Sequence, residues 1–285
     1  MKKIAVITDT SCDIPDSVAE KYGIYFLPMQ VVYSYKAFRD RKDITIDYVY
    51  ENLDNEIPRS SLPLTADVME LLEKLKREDF THIIAITLSS ALSGTYNALR
   101  NILDEYTDIF KFEIIDSKLI SMAMGFSVIE TAKIASMSGD FEEAIKKAKY
   151  VLERSRGYFT VDNIKYLVKG GRISNFEAAL GKILDIRPII GVDENGKYYA
   201  AGKIRGRKKS LQIMQELALK DVENKKNIKF ASMHGRSMED AKKQYEIFAS
   251  LENSSKEDSY IINVGPMMAG HSGPGTVGIC VSWED

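Results

Sequence analysis

Residues 86–100 read ITLSSALSGTYNALR: an apolar run, then Ser89, Ser90, Ser93, Gly94 and Thr95, then a helical pattern. A strand that turns into a helix through four hydroxyls and a glycine aims hydroxyl donors and unpaired backbone N–H groups at one point. Helix N-termini attract anions, so the anion in question is a phosphate or a carboxylate. Three other stretches carry comparable chemistry. IPRSSLPLTADV holds Ser60 and Ser61 in an extended segment between prolines, where hydroxyls act without helical competition. KGGRISN sets Arg172 after paired glycines and before a helix predicted to be capped by Ser174 or Asn175. GPMMAGHSGPGT surrounds His271 with Gly265, Gly270, Gly273 and Gly275, a backbone able to approach a ligand closely. Each also has a plainer reading: a serine pair that stabilises a turn, a surface arginine, a glycine-rich turn.

Several enzyme signatures fail on context. Gly273, Gly275 and Gly278 match the spacing of a dinucleotide fingerprint but precede a predicted strand rather than a helix. Gly181-Lys182 is followed by Ile183 and makes no phosphate loop. TDTSCD offers Asp9 as a nucleophile, yet an Asx turn closing the first strand is the favoured reading. His82, His234 and His271 lack the paired spacing of metal ligands, and His82 belongs with the core residues around it. One enzymatic alternative stays open. Ser93 as nucleophile with His271 as base would make a hydrolase or transferase on a small acyl or phosphorylated substrate.

These residues need elements to position them. The 285 residues predict two domains, and 45% hydrophobic with 28% charged residues is an ordinary globular balance. A net charge of −2 offers no field to recruit nucleic acid or an anionic membrane. Cys12 and Cys280 are too few for a disulfide framework, and a reducing cytosol suits them. With no signal-peptide pattern and no apolar run of membrane-spanning length, a cytoplasmic location is expected.

The first half alternates between predicted strands (KIAVIT, IYFLPMQVVYS, THIIAITLS, KFEIIDS) and helices. The helices are SVAEKYG, IDYVYENLD, TADVMELLEKLKRE with Thr65 as N-cap, SGTYNALRNILDEY and SMAMGFSVIETAKIASM. Such alternation predicts an α/β layer with a mostly parallel sheet, whose ligands lie beyond the strands' C-terminal ends. The helix FEEAIKKAKYVLERSR leads to a second texture. GYFTVDNIKYLVKGGRIS reads as extended, FEAALGKILD as helical, and RPIIGVDENGKYYAAGKIRG as a hairpin turning at Asn195-Gly196. The expectation is therefore an N-terminal α/β domain over residues 1–156 and a C-terminal α+β domain over 157–285. A ligand cleft between lobes fits that division.

Taken in order, ITDTSCDIP, IPRSSLP, LSSALSGTY, DSKLISMAMG, GGRIS, RPII and GHSGPGTVG resemble the DegV family of fatty-acid-binding proteins over essentially the whole chain. The resemblance implies a two-domain α/β protein holding one fatty acid, hexadecanoate for example, in a tunnel between its lobes. It implies that the acyl carboxylate lies near Ser60, Ser61, Ser93, Gly94 and His271, with no catalytic residue and no other cofactor. It further implies an acyl-binding subunit whose bound carboxylate is phosphorylated by a separate ATP-dependent fatty acid kinase subunit. The acyl phosphate then feeds phospholipid synthesis. Arg172 and Arg205 are the residues this assigns to partner-dependent phosphorylation, while Arg207 to Lys209 in KIRGRKK read as a solvated face.

Three stretches depart from the family pattern. Ser60-Ser61-Leu62-Pro63-Leu64 replaces Thr-Ser-x-Pro-Ser, Ala123 stands where glycine is common, and Arg187 where lysine is common. A hydroxyl survives at Ser60, and a methyl at Ala123 would reshape an acyl tunnel. The choice of anion follows from the absence of a cation after Ser93-Gly94-Thr95 until Arg100. Hydroxyls without a paired cation suit a singly charged carboxylate.

Overall fold

The computed structural model describes residues 3–173 and 186–285. The expected helix FEAALGKILD, its caps Ser174 and Asn175, and Gly181-Lys182 lie outside the described residues. In chain order the N-terminal lobe contains β1 (Ile4–Asp9), α1 (Asp16–Tyr22), β2 (Ile24–Leu27), β3 (Gln30–Val32) and β4 (Ala37–Arg39). It continues through α2 (Ile46–Asn52), β5 (Arg59–Ser61), α3 (Thr65–Arg77), β6 (His82–Thr87) and α4 (Thr95–Leu103). It closes with β7 (Lys111–Asp116), α5 (Met122–Met137) and α6 (Phe141–Glu153). The second lobe runs through β8 (Ser155–Thr160), α7 (Lys165–Gly170), β9 (Ile186–Val192), β10 (Tyr198–Arg205) and α8 (Arg207–Asp221). It ends with β11 (Lys226–His234), α9 (Met238–Ala249), β12 (Tyr260–Asn263), α10 (Pro266–Ser272) and β13 (Val277–Glu284).

The expected α/β architecture is present. An all-parallel sheet of order β2-β1-β6-β7 forms the N-terminal lobe, and a mixed sheet of order β10-β9-β8-β13-β11-β12 forms the other. Four local expectations need correction. IYFLPMQVVYS is two strands in different sheets, because Pro28 has no N–H to donate to a ladder. β2 stays in the parallel sheet, while β3 joins a separate antiparallel sheet of order β4-β3-β5 that pairs Val31 with Ser60. Thr65 is already helical; the cap position belongs to Leu64, which is extended and makes no side-chain cap. The extended reading of GYFTVDNIKYLVKGGRIS holds only to Thr160. Asn163 Oδ1 then accepts the Lys165 N–H at 2.9 Å, starting α7, which Gly171 stops in the left-handed region at φ 75°. The glycine-rich GPMMAGHSGPGT contains the helix α10, with Pro266 in its first turn and Gly273 ending it at φ 72°.

Asp9 forms the favoured Asx turn. Its carboxylate accepts the Ser11 N–H at 3.1 Å and the Leu88 N–H at 2.9 Å, tying the C-terminal ends of β1 and β6 together. His82 is structural as expected, bonded to Thr81 Oγ1 at 2.8 Å with its ring edge on Phe141. Among the described residues, no helix is long and apolar enough to cross a membrane, and no His/Cys/Asp/Glu group is arranged for a metal.

The lobes share a core. α5 packs on α6 and β1 from one lobe and on β8 and β13 from the other. One continuous apolar cluster joins Met122, Phe126 and Ile129 with Met233, Met267 and Cys280. Midway along α5, Glu130 accepts from Lys229 of β11 and from Lys133, both at 2.9 Å, and Lys133 also bridges to Asp258 at 2.9 Å. Burial pushes the Glu130 carboxyl up, but Lys229 and Lys133 outweigh it and hold it below its ordinary value.

Glu130→Ala strands the buried Lys229 ammonium and should cost about 3–5 kcal/mol in urea unfolding. Lys147→Ala removes a more exposed member of the network, 3.2 Å from Glu284, and should cost about 1 kcal/mol or less. Because the native carboxyl is the stronger acid, the Glu130 contribution is full above its ordinary pKa of 4.5 and declines as pH falls below it. The stability gap between the unaltered chain and Glu130→Gln should narrow accordingly.

Candidate functional site

Beyond the C-terminal end of β6, between the lobes, lies a cavity of ≈ 190 Å³. Its polar wall comes from Ser60 and Ser61 of β5, Ser93 and Gly94 before α4, Arg172 after α7, and His271 near the end of α10. Residues far apart in sequence thus converge, and each is placed by its own element. Val31 of β3 pairs with Ser60. Gly94 caps α4, close enough to Leu62 that an added Cβ would lie 3.7 Å from its methyls. α10 packs against β3, β5, α2 and α7, and a Cβ at Gly270 would come within 3.0 Å of Pro58 Cγ, so glycine permits the close approach.

His271 is the centre of the polar wall. Its Nε2 lies 2.7 Å from Ser60 Oγ. Burial, then the nearby Arg172 charge, push its pKa down to about 4, so the ring is neutral at physiological pH. Gly170 packs flat against the imidazole, and a Cβ built there would overlap Nδ1. The Arg172 guanidinium is anchored on backbone oxygens, with Nε 3.4 Å from Leu92 O and Nη1 on Gly170 O.

The hydroxyls of LSSALSGTY divide their work. Ser89 Oγ donates to Gly196 O at 2.8 Å, fastening the β9–β10 hairpin of the second lobe onto the first. Ser90 Oγ donates to Asp116 at the end of β7. Ser93 Oγ and Thr95 Oγ1 bond each other at 2.9 Å, and of the four only Ser93 lines the cavity. The alternative pairing of Ser93 with His271 is not formed: Ser93 is bonded to Thr95, and His271 to Ser60.

Behind the polar wall a second cavity of ≈ 50 Å³ continues inward and shares Ile120, Leu167, Tyr198, Met268 and His271 with the first. Ala123, Gly157, Phe159, Met233 and Cys280 line its depth. Tyr198 stands at the junction, its ring edge-to-face with Phe159 at a centroid distance of 5.7 Å and its hydroxyl pKa pushed up by burial. Neither Tyr198 nor Gly170 was flagged by sequence reasoning. Both act through contacts with distant segments that no local pattern announces.

Arg205 ends the edge strand β10, exposed, and lines neither cavity. The solvated reading of Arg207 fails: it bonds Asp162, Asp240, Ser237 Oγ at 3.1 Å and Gly275 O at 2.8 Å, bracing the loop after His271. Arg187 joins the same Asp162.

A family model described as "Uncharacterised protein, DegV family" matches residues 3–284. The chain belongs to the DegV family. A DegV domain-containing protein of Clostridium acetobutylicum is 39% identical over 284 residues, covering 100% of both chains. The solved structure of DegV, a fatty acid binding protein from Bacillus subtilis, superposes with a TM-score of 0.89 at 29% identity, covering 100% of both chains. A stearic acid-binding protein from Eubacterium ventriosum superposes at 0.87 with 26% identity, over 100% of this chain and 99% of that one.

In this DegV chain the two adjacent glycines make different demands. Gly170→Ala should displace the imidazole from Ser60 and cost about 1–3 kcal/mol by overpacking. Gly171→Ala meets open space and is strained only by its left-handed backbone, so His271 should stay in place. The imidazole ¹H–¹⁵N correlations of the two variants check this: they should move in the first and hold in the second.

Proposed function

We propose that this DegV chain binds one long-chain fatty acid between its lobes and presents the carboxylate to a separate ATP-dependent kinase subunit. The observation that carries the binding half is the polar cavity that runs into an apolar one through a shared wall. An amphiphile with a single anionic head and a long apolar tail matches that pairing. Ser60, Ser61, Ser93, Gly94 and His271 take the carboxylate, and the tail runs past Tyr198 towards Ala123 and Gly157. The fatty-acid-binding relatives from Bacillus subtilis and Eubacterium ventriosum support the same reading. In it, residues 1–156 and 157–285 supply the two walls, and the protein works in the cytoplasm without catalysis of its own.

The magnitudes assign roles. Burying a sixteen-carbon tail contributes about 12 kcal/mol gross at ~0.8 kcal/mol per methylene, before association costs. A hydrogen bond to the charged head adds about 1.5–3 kcal/mol. The tail supplies affinity, and the hydroxyls orient the head. A neutral His271 suits this task, because it can hydrogen-bond a carboxylate without adding a second positive charge beside Arg172.

The kinase half rests on the family resemblance. Phosphoryl transfer accumulates negative charge, which fixed guanidinium groups stabilise. In this reading Arg172, which lines the polar cavity, does that work. Arg205, exposed on an edge strand, fits better as a contact to an acidic face of the partner.

Lipid extraction and mass spectrometry of the purified chain should find one C14 to C18 fatty acid; delipidated protein with no affinity for any of them would overturn the proposal. Ser60→Ala and Ser93→Ala should each loosen the orientation of the carboxylate, read by ¹³C NMR of carboxyl-labelled lipid, more than they lower affinity, and the pair should be non-additive if both touch one carboxylate. Arg172→Ala and Arg205→Ala should keep their lipid but lose acyl-phosphate formation with a cognate kinase subunit and ATP. Arginine variants that come out empty of lipid would reverse that division.

At the deep end, a Cβ at Gly157 would lie 3.4 Å from both Ala123 Cβ and Cys280 Sγ. Gly157→Val should therefore reduce affinity for C18 acids more than for C14 acids in direct titrations.

A further inference from the structure

α10 carries His271, yet its own sequence cannot cap its start. The N-cap residue is Gly265, which has no side chain, and Pro266 has no N–H. The acceptors come from the other lobe. Asp13 Oδ1 accepts the Gly265 N–H at 3.0 Å, and Asp40 Oδ1 accepts the Met267 N–H at 2.8 Å. These partners are 252 and 227 residues away in sequence. Asp13 is in turn held by Ser121 Oγ at 2.7 Å, just before α5. Both carboxyls are buried, at 3% and 1% exposure.

We propose that Asp13 and Asp40 are positioning residues for His271, capping its helix from the opposite lobe so that the imidazole meets Ser60 only when the lobes are closed. The proposal deepens the fatty-acid reading, and it rests on that reading only for what His271 does. The geometry makes the coupling rigid. α10 has seven residues, about 10 Å of helix. Its start is fixed by the two carboxylates and its end by Ser60 Oγ, while Gly270 lies flush against Pro58. A short helix held at both ends transmits displacement at one end to the other. Carboxylates at its start also complement the helix dipole.

The surroundings of Asp40 explain why the arrangement persists. Burial raises its pKa to about 6, the Thr10 hydroxyl and the Met267 N–H oppose that, Asp13 adds to it, and Arg41 lowers it. Burial raises the Asp13 pKa too, with Ser121, the Gly265 N–H and Arg41 lowering it and Asp9 raising it. Protonated or ionised, Oδ1 of Asp40 still accepts a hydrogen bond, so the cap needs an acceptor at this place more than it needs a charge.

Asp40→Ala and Asp40→Asn separate these elements. The readout is the titration of the His271 ring by NMR between pH 5 and 8, beside lipid content. In the unaltered chain the ring should stay neutral throughout that window. In Asp40→Ala a released helix should bring it into view as a group titrating near the ordinary 6.5. Asp40→Asn keeps an acceptor oxygen and should restore the silent ring. An unchanged ring in Asp40→Ala, or an Asp40→Asn variant that titrates like it, would overturn the proposal. Should Asp40→Ala fail to fold, hydrogen exchange of the Met267 amide in the unaltered chain decides the matter. Slow exchange supports the cap, and exchange as fast as at an exposed helix start overturns it. If the unaltered chain holds no fatty acid while its ring behaves as expected, the fatty-acid reading fails and the positioning role stands.

Discussion

A helix that is apolar on every side has to be covered on every side, and α5 imposes that demand on the whole chain. Met122 to Ile129 are buried without interruption, so no face is left for solvent. The parallel sheet covers one side, and β8 and β13 cover the other. The separation of the lobes is therefore set by the girth of one helix. Where its first turn meets small residues, Ala123 against Gly157, the packing leaves a space instead of a contact. Where its middle turns carry Glu130, the space is closed by ions from both lobes. The cavity is a consequence of how the core is filled.

The same constraint decides which polar groups remain for a ligand. Buried hydroxyls must find partners, and packing within and between the lobes supplies several of them. Ser89 is engaged across the lobes by the hairpin tip at Gly196, while within the first lobe Asp13 engages the buried Ser121 and Asp116 the exposed Ser90. Among the described residues, the Ser60 and Ser93 hydroxyls bond only His271 and Thr95, whose side chains can exchange donor and acceptor roles. A head group entering the polar cavity thus meets hydroxyls whose protons can be redirected without breaking the fold. Burial also keeps the imidazole neutral, so the wall adapts to the charge that arrives.

Much of the layout was legible because it is periodic. The alternation of apolar runs and amphipathic stretches predicted the parallel sheet and its helices, and Asn195-Gly196 predicted the hairpin turn. The errors fell where a short-range signal met a long-range one. Pro28 interrupts an apolar run that pattern alone reads as one strand, and two sheets claim its halves. Glycines around His271 read as a loop, although Pro266 had already marked a helix start. Paired glycines before Arg172 carried no role of their own in the pattern, whereas Gly170 makes room for the imidazole. Arg207 looked solvated because its acids, Asp162 and Asp240, come from other segments.

That last class of error has one physical cause. Ser60 and His271 are 211 residues apart, and Ser89 and Gly196 are 107 apart. A hydrogen bond between such partners contributes only about 0.5–1.5 kcal/mol net, far too little to bring the segments together against chain entropy. The apolar core must assemble first, and the polar wall forms afterwards from whatever the core places within reach. Residue types can therefore announce the chemistry of the site, as the serines and His271 do, while their partners are fixed only by packing. A site built in this order depends on core volume as much as on its own side chains, so a methyl in the depth of the cavity and a hydroxyl at its mouth act on the same function by different routes.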